Sequence, residues 1–537
     1  MKPYYIVVND PDHKLNLIDE LIADTGDATI PSRVVEVTTR DWSEHTFQAL
    51  LSDNEARLLE ADARVAIVEV DPTIYRNIRV IPLGSRTGIF NCSPFTTLAT
   101  HRNYGLDRCT TSTNNFLHGG TYQSSNTAFN YNLDGTGVDI VVIDTGIVAG
   151  HPEFAVNADG TGGTRVVNYD WTQHGIITNV PTGGFLGDCE GHGSNCASIA
   201  AGNTCGWAPG ATIYTLRAIG SGAAQEHDIQ TGAILGLIDP LLAIETVQAF
   251  HLAKPITSTG YRRPTVCTNS WSYTDAYVGG KMQSVNYRGT TVSLTTTTGA
   301  GATNYGTIGY AEGGDGTFGY RYSVADAAIA SCIAAGVIMV GASANNAHKI
   351  DVSSGNDYNN YILQSDQNGV PRYYHRGGTP GASTGVICVG AEDNIYGNSE
   401  GKAFFSCTGP RIDIFAPGVG VMGAYSSSSY YTAAVQDSRN SNYFLNKISG
   451  TSQATPQVSG VIACILQARP WMTATNVLKF LRAVGQKNTL NENALAGNGY
   501  GFTSVGTYTN LASLQGASNI LLQQPFVSPT PLQSSHK

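Results

Sequence analysis

Ile140-Val141-Val142-Ile143-Asp144-Thr145-Gly146 is a strand-like apolar run that ends on a carboxylate and breaks at a glycine. Two further segments follow it in the chain, Gly191-His192-Gly193-Ser194 and Gly450-Thr451-Ser452-Gln453-Ala454-Thr455-Pro456. An acid, a histidine and a serine are the parts of a hydrolytic charge system. Their order is informative, because the same geometry on other folds comes in other orders.

Around these segments, strand-like and helix-like stretches alternate. The sequence predicts strands over 139–143, 212–217, 265–269, 337–340 and 385–390. It predicts helices over 191–201, most of 228–253, 324–335 and 452–467. Alternation of this kind implies an α/β fold, a parallel sheet covered by helices on both faces. Val458, Val461, Ile462 and Ile465 follow helical spacing, so Ser452 is expected at a helix N-terminus. Free N–H groups and the helix dipole there favour developing negative charge. Gly450 permits close approach of a backbone, and Pro456 is expected in a first turn that tolerates it.

Three such segments, in this order and with these flanks, resemble the subtilisin-like serine proteases, the subtilases. The resemblance implies a subtilisin-like sheet, with Ser452 as nucleophile, His192 as general base and Asp144 as the group orienting it. It further implies an oxyanion asparagine within Gly341-Ala342-Ser343-Ala344-Asn345-Asn346, aligned on Asn345, with Asn346 as the neighbouring alternative. Ser270-Trp271-Ser272 aligns with the family segment that borders the first specificity pocket and pairs with substrate backbone. Ala342 and Ser343 are also read as substrate-binding, and core packing is an equal reading of Trp271. Gly206-Trp207-Ala208-Pro209-Gly210-Ala211 adds to the match. Departures are Ser194-Asn195 for a threonine–histidine pair, Glu190 for a frequent asparagine and Ala344 for a glycine. Cys196 resembles the thiol that proteinase K-like members carry beneath the histidine, which implies sensitivity to mercurials.

A second reading attaches to Asp144. Asp-Thr-Gly after an apolar run also marks aspartic proteases, which pair two such carboxylates. Asp24-Thr25-Gly26 is a second copy, but it follows an amphipathic helix where Gly26 would act as a C-terminal cap. That reading leaves His192 and Ser452 without a role.

Residues 1–72 differ from the rest in being rich in acids and poor in glycine. Strands over 4–8, 33–39, 45–51 and 65–70, with helices over 15–23 and from the Ser52-Asp53-Asn54-Glu55 capping box to 62, give a βαββαβ order. This is a small ferredoxin-like α+β unit, and it resembles the inhibitor-type prodomain of subtilases. Residues 73–100 read as a linker with the processing site. Residues 101–504 read as the catalytic domain, beginning near Asn103-Tyr104-Gly105-Leu106-Asp107-Arg108, with insertions at 273–320, 348–378 and 425–446. Residues 505–537, with Pro525, Pro529 and Pro531, read as a C-terminal extension.

Composition narrows the partners. Charged residues are 13% of the 537 and the net charge is −10, so there is no basic footprint for nucleic acid. There are 61 glycines, about 11% against a usual ~7%. This weakly charged, polar composition is extracellular-like or virion-exposed in character. The apolar run of the first ten residues is too short for a signal-peptide core. Residues 327–344 read as helix, turn and buried strand, and no membrane span or membrane partner is expected. Ten cysteines, several within apolar runs, read as mostly reduced thiols. No Cys/His spacing suggests zinc, no cofactor is expected, and calcium, common in subtilases, has no assignable site. The expected partners are a protein or peptide substrate and the chain's own prodomain as inhibitor. An alternative is a catalytically silent subtilase-fold protein of a virus particle.

Overall fold

The computed structural model describes residues 1–23, 34–39, 46–70, 104–110, 130–131, 133–258, 260–276, 282–293, 317–364, 370–396, 399–425, 434–492, 513–524 and 527–528. The expected linker at 73–100, the second Asp-Thr-Gly and the three prolines of the extension lie outside them. The chain divides into two compact units: residues 1–85 with 475–485, and residues 86–474 with 486–537.

In the smaller unit, β1 (Lys2–Val8), α1 (Asp12–Ala23), β2 (Val37–Thr39), β3 (Thr46–Leu51), α2 (Asp53–Ala61) and β4 (Val65–Val70) follow the expected order. The sheet runs β2-β3-β1-β4 with every neighbouring pair antiparallel, the ferredoxin-like arrangement. Alternation puts Tyr4, Ile6 and Val8 on one face of β1, where they meet Leu17, Ile18 and Leu21 of α1 in a closed apolar core. The capping box forms: Ser52 N–H donates to Glu55 Oε2 at 2.7 Å and Glu55 N–H to Ser52 Oγ at 3.3 Å.

The larger unit is built on a nine-stranded sheet. Its strands include β5 (Asp139–Asp144), β6 (Thr212–Arg217), β7 (Thr265–Asn269), β8 (Ile338–Ala342), β9 (Ile387–Tyr396), β10 (Ile414–Pro417), β11 (Gln486–Lys487) and β12 (Ile520–Leu521). Their order is β11-β12-β10-β9-β8-β7-β5-β6, parallel from β12 to β6, with β11 antiparallel at the edge. Every residue of β5, β7 and β8 is buried, as strands covered on both faces must be. Val141 and Ile143 pack on one face with Ile244, Val247 and Phe250 of α5 (Pro240–Ala253) and Ile329 and Cys332 of α6 (Ser323–Ala335). On the other face lie α4 (His192–Ala201) and α7 (Thr451–Ala468), packed on each other, and α3 (Tyr104–Thr110) lies against β10.

The chain leaves β5 toward β6 at one edge, then returns to place β7 on the other side of β5. The order reverses between β5 and β7, and ligand sites of open α/β sheets form outside the carboxyl ends of strands at such a point. Asp144 closes β5 and Ser270 follows β7, whose Asn269 is in register with Ile143.

Three expectations shift. The helix expected over most of 228–253 begins only at Pro240. Asp239 caps it through Leu241 N–H at 2.8 Å, and the proline occupies a position that needs no donor. The insertions at 273–320 and 348–378 are one structure, because Met282–Tyr287 pairs with both Thr290–Ser293 and Tyr361–Gln364, and the latter with Arg372–Tyr373. Residues 520–521, within the expected extension, belong to the catalytic sheet. The third insertion is a three-stranded sheet of Val421–Tyr425, Val435–Asp437 and Asn440–Ile448. Buried Arg439 fixes it, reaching Glu153 at 2.6 Å and Asp437 at 2.5 Å. The nine described cysteines are buried. Among the described residues no helix is long and apolar enough to cross a membrane.

Candidate active site

Asp144 is buried at the carboxyl end of β5, and its Oδ1 accepts from Thr145 N–H at 2.8 Å and lies 2.7 Å from His192 Nδ1. His192 is the first residue of α4, and its ring stays 23% exposed, open enough to meet a substrate. Burial opposes the imidazolium, but the Asp144 carboxylate and the Cys196 sulfur together outweigh it, so the pKa of His192 is raised well above the ordinary histidine value.

Asp188 holds this end of α4 in place, a role the sequence reading missed. Its buried carboxylate accepts from Thr145 Oγ1 (2.8 Å), Glu190 N–H (3.0 Å), Gly191 N–H (2.8 Å), Ser194 N–H (2.9 Å) and Ser194 Oγ (2.6 Å). Burial raises its pKa in spite of these donors. Ser194, which departs from the family pattern, is thereby tied to the same acid, and the Glu190 carboxylate accepts the His192 N–H at 2.8 Å. Gly191 has φ 102°, and a Cβ there would lie 2.3 Å from the Tyr425 ring, so both conformation and space require glycine.

One turn into α4, Cys196 Sγ sits 3.8 Å from His192 Nδ1 and 3.9 Å from Nε2, and reaches the Ser452 carbonyl at 3.4 Å. It therefore joins α4 to α7 beneath the imidazole. Burial pushes this thiol's pKa up. Asp144, His192 and Cys196 offer ligand atoms within 4.8 Å of one another. Sulfur with imidazole suits a soft cation, not calcium.

Ser452 is the second residue of α7, and its hydroxyl donates to the Ser270 carbonyl at 2.9 Å. The Ser270 hydroxyl in turn donates to the Ser452 carbonyl at 2.9 Å. Pro456 corrects the sequence reading: with the helix starting at Thr451, it lies beyond the first turn. Its missing N–H would have bonded the Ser452 carbonyl. That carbonyl is instead taken by Ser270 Oγ and Cys196 Sγ.

Asn345 is exposed, and its Oδ1 accepts from both Thr451 N–H and Thr451 Oγ1 at 2.9 Å. With the carbonyl held by the residue next to Ser452, the amide N–H₂ is left to face Gly450. The preceding Ala344 takes φ 83°, a conformation that suits the glycine usual there. Asn346 is buried, and its Oδ1 lies 3.6 Å from Cys407 Sγ. Thr451 was another residue the sequence reading passed over, although it stands inside the serine motif.

Trp271 packs against the α5–α6 core and meets Tyr273 edge-on at 5.4 Å. Ser272 bridges Pro380, and its Oγ donates to the Tyr273 carbonyl at 3.1 Å. Ala342 and Ser343 are buried at the end of β8, where Ser343 N–H donates to the Val389 carbonyl at 3.0 Å.

A parallel α/β sheet with an acid, a histidine and a serine gathered at its switch point defines a serine hydrolase. The model of the Subtilase family matches residues 135–503, and the chain belongs to that family. Its class is that of a subtilisin-like serine endopeptidase, with proteins or peptides as substrates. It is 26% identical to an extracellular serine proteinase of Thermus sp. (strain Rt41A) over 432 residues, 80% of this chain and 68% of the relative. Over 114 residues, 19% of this chain and 25% of the relative, it is 40% identical to the serine protease AprX of Bacillus subtilis (strain 168). It is 24% identical to the alkaline serine exoprotease A of Vibrio alginolyticus over 438 residues, 81% of this chain and 54% of the relative. The chain thus spans from a quarter to about two thirds of the length of these relatives. The crystal structure of a cold adapted subtilisin-like serine proteinase aligns with 78% of this chain and 97% of that one, at 20% identity and a TM-score of 0.44.

Proposed function

We propose that the chain cleaves internal peptide bonds through an acyl-enzyme on Ser452. The Ser452 hydroxyl turns from the Ser270 carbonyl to His192 by rotation about χ1. His192 Nε2 takes the proton as oxygen attacks the peptide carbonyl, and Asp144 stabilises the imidazolium through Nδ1–H. The oxyanion is held by Asn345 Nδ2 and the Ser452 N–H. The imidazolium then protonates the leaving amine, and water, activated by the same imidazole, releases the acyl group. Ser270-Trp271-Ser272, with Ala342 and Ser343, would form the substrate edge. The observation that carries this reading is the 2.7 Å contact between Asp144 and His192 at the mouth of the α4–α7 pair.

In the same proposal residues 1–72 act as folding aid and intramolecular inhibitor and are removed by cleavage within 73–100. Their separate core and ferredoxin-like order support it. No metal is needed for the steps above. The name of the Thermus relative favours action outside the cell. The net charge of −10 speaks against nucleic acid as a partner.

One observation favours a silent structural protein: Ser452 Oγ donates to a carbonyl and not to the imidazole. Fluorophosphonate labelling of the full chain and of Ser452→Ala separates the readings. Labelling of wild type that disappears in the variant is expected. Labelling that survives the substitution, or never appears, refutes the serine mechanism, and inhibition by pepstatin would revive the aspartic one.

A further inference from the structure

The paired insertions enclose a cavity of about 570 Å³ whose wall carries Arg321, Arg372 and Arg376 beside Asp275, Tyr320 and Tyr373. Arg372 is paired with Asp275 at 2.7 Å and Arg321 with Asp326 at 2.8 Å. Arg376 is different. Its guanidinium lies 3.3 Å over the Tyr373 ring and donates to Asn359 Oδ1 at 2.7 Å and the Tyr358 carbonyl at 3.3 Å. Among the described residues no carboxylate pairs with it, so three guanidiniums face two carboxylates. Stacking holds the group rigid and leaves its charge to a ligand.

The cavity continues the segment that meets the nucleophile. Ser270, which accepts the Ser452 hydroxyl, lies four residues before Thr274 on the cavity wall. The chain between them is extended: Ser272 bridges Pro380, and Thr274–Ala276 is a strand paired with Thr317–Gly319. At ~3.3 Å per residue the four-residue step from Ser270 places the cavity wall at most about 13 Å from the residue whose carbonyl accepts the Ser452 hydroxyl. A substrate strand running along Ser270-Trp271-Ser272 reaches it at the third to fifth residue on the amino side of the scissile bond. The exposed Tyr320 and Val370 at its rim would cover the aliphatic part of an entering side chain.

We infer that this cavity is a subsite for an acidic side chain, so that the protein prefers peptides with Asp or Glu three to five residues before the cleaved bond. The inference rests on the proposed peptidase reading and adds a substrate class to it.

The test uses the full, processed chain and quenched fluorescent peptides of one sequence, with Glu, Gln or Lys placed in turn at the third, fourth and fifth positions. At one of these positions kcat/KM for Glu should exceed that for Gln by roughly tenfold and that for Lys by more, since charge-assisted pairs are about twice as strong as neutral ones. The preference should shrink as salt is raised. Arg376→Gln should bring the Glu-to-Gln ratio near one, Arg376→Lys should restore part of it, and cleavage of a peptide too short to reach the cavity should be unchanged in both. Equal rates for Glu, Gln and Lys at all three positions in the wild type would overturn the inference, whether or not the variants fold. So would an acidic preference that Arg376→Gln leaves intact. Failure to cleave any peptide, with no fluorophosphonate labelling, would instead refute the underlying peptidase reading.

Discussion

Thr451→Val isolates how Asn345, the proposed oxyanion donor, is aimed. Thr451 gives Asn345 Oδ1 two donors at 2.9 Å, its N–H and its hydroxyl. Valine keeps the shape and the N–H and removes the hydroxyl alone. Removing the Asn345 amide itself should cost on the order of 10²–10³ in kcat, as for other donors of this kind. One neutral hydrogen bond has a net worth of about 0.5–1.5 kcal/mol, which caps the loss of alignment at roughly a factor of ten. We therefore expect kcat to fall about three- to tenfold, with KM within about twofold, because the interaction matters only once charge develops.

The decisive assay is a double-mutant cycle on a chromogenic peptide substrate, with thermal unfolding checked because Thr451 is buried. In the Asn345→Ala background the second substitution should change kcat little, a coupling of about 1 kcal/mol. If Thr451→Val slows both backgrounds by the same factor, Thr451 does not act through Asn345 and the reasoning fails.

The pH profile reports on His192. Only neutral imidazole can take the serine proton, so kcat/KM should rise with pH, with a midpoint above the ordinary histidine value. A midpoint at or below that value would contradict the Asp144 contact as its cause. Lys402 is buried with its ammonium on the carbonyls of Ala403 and Ser406, and burial lowers its pKa to about 7. The unfolded chain then binds more protons between pH 7 and about 10.4, so stability rises with pH across that window and the penalty is complete below it. In a Ser452→Ala background, to prevent autolysis, Lys402→Met should flatten this rise in urea titrations. An unchanged slope would remove Lys402 as its source. Mercurials should abolish activity through Cys196, and Cys196→Ala should resist them more than wild type does. Full wild-type activity in excess mercurial would contradict this.

The parts of the fold that were legible in sequence are those set by local pattern. Buried parallel strands such as β5 and β8 read as unbroken apolar runs, and the Ser52–Glu55 box announced α2. The sheet shared by two insertions was not legible, because Val285 and Ile362 pair across a long stretch of chain whose Gly, Thr and Tyr content shows no alternation to set a register. Asp188 and Thr451 were missed for a related reason. Each has a partner distant in sequence: beside its local donors Glu190, Gly191 and Ser194, Asp188 accepts the Thr145 hydroxyl, and Thr451 donates to the Asn345 amide oxygen. A motif names the group that reacts and leaves the groups that aim it unmarked.

Pro456 shows how a local rule broken inside an element can build the site. A proline beyond the first helical turn is unfavourable by propensity, and the sequence reading avoided the conflict by placing it in the first turn. In α7 its cost is one backbone bond, that to the Ser452 carbonyl. The freed oxygen accepts Ser270 Oγ from the end of β7 and Cys196 Sγ from α4. Ser270 returns its own carbonyl to the Ser452 hydroxyl. Ser452, the proposed nucleophile, is thereby located by the sheet edge and by the helix that carries His192, not by α7 alone. A regular helix would have satisfied that carbonyl internally and removed the acceptor that draws both neighbours to Ser452. Violations of local preference concentrate where function constrains the chain, and here the violation supplies the contacts that fix Ser452.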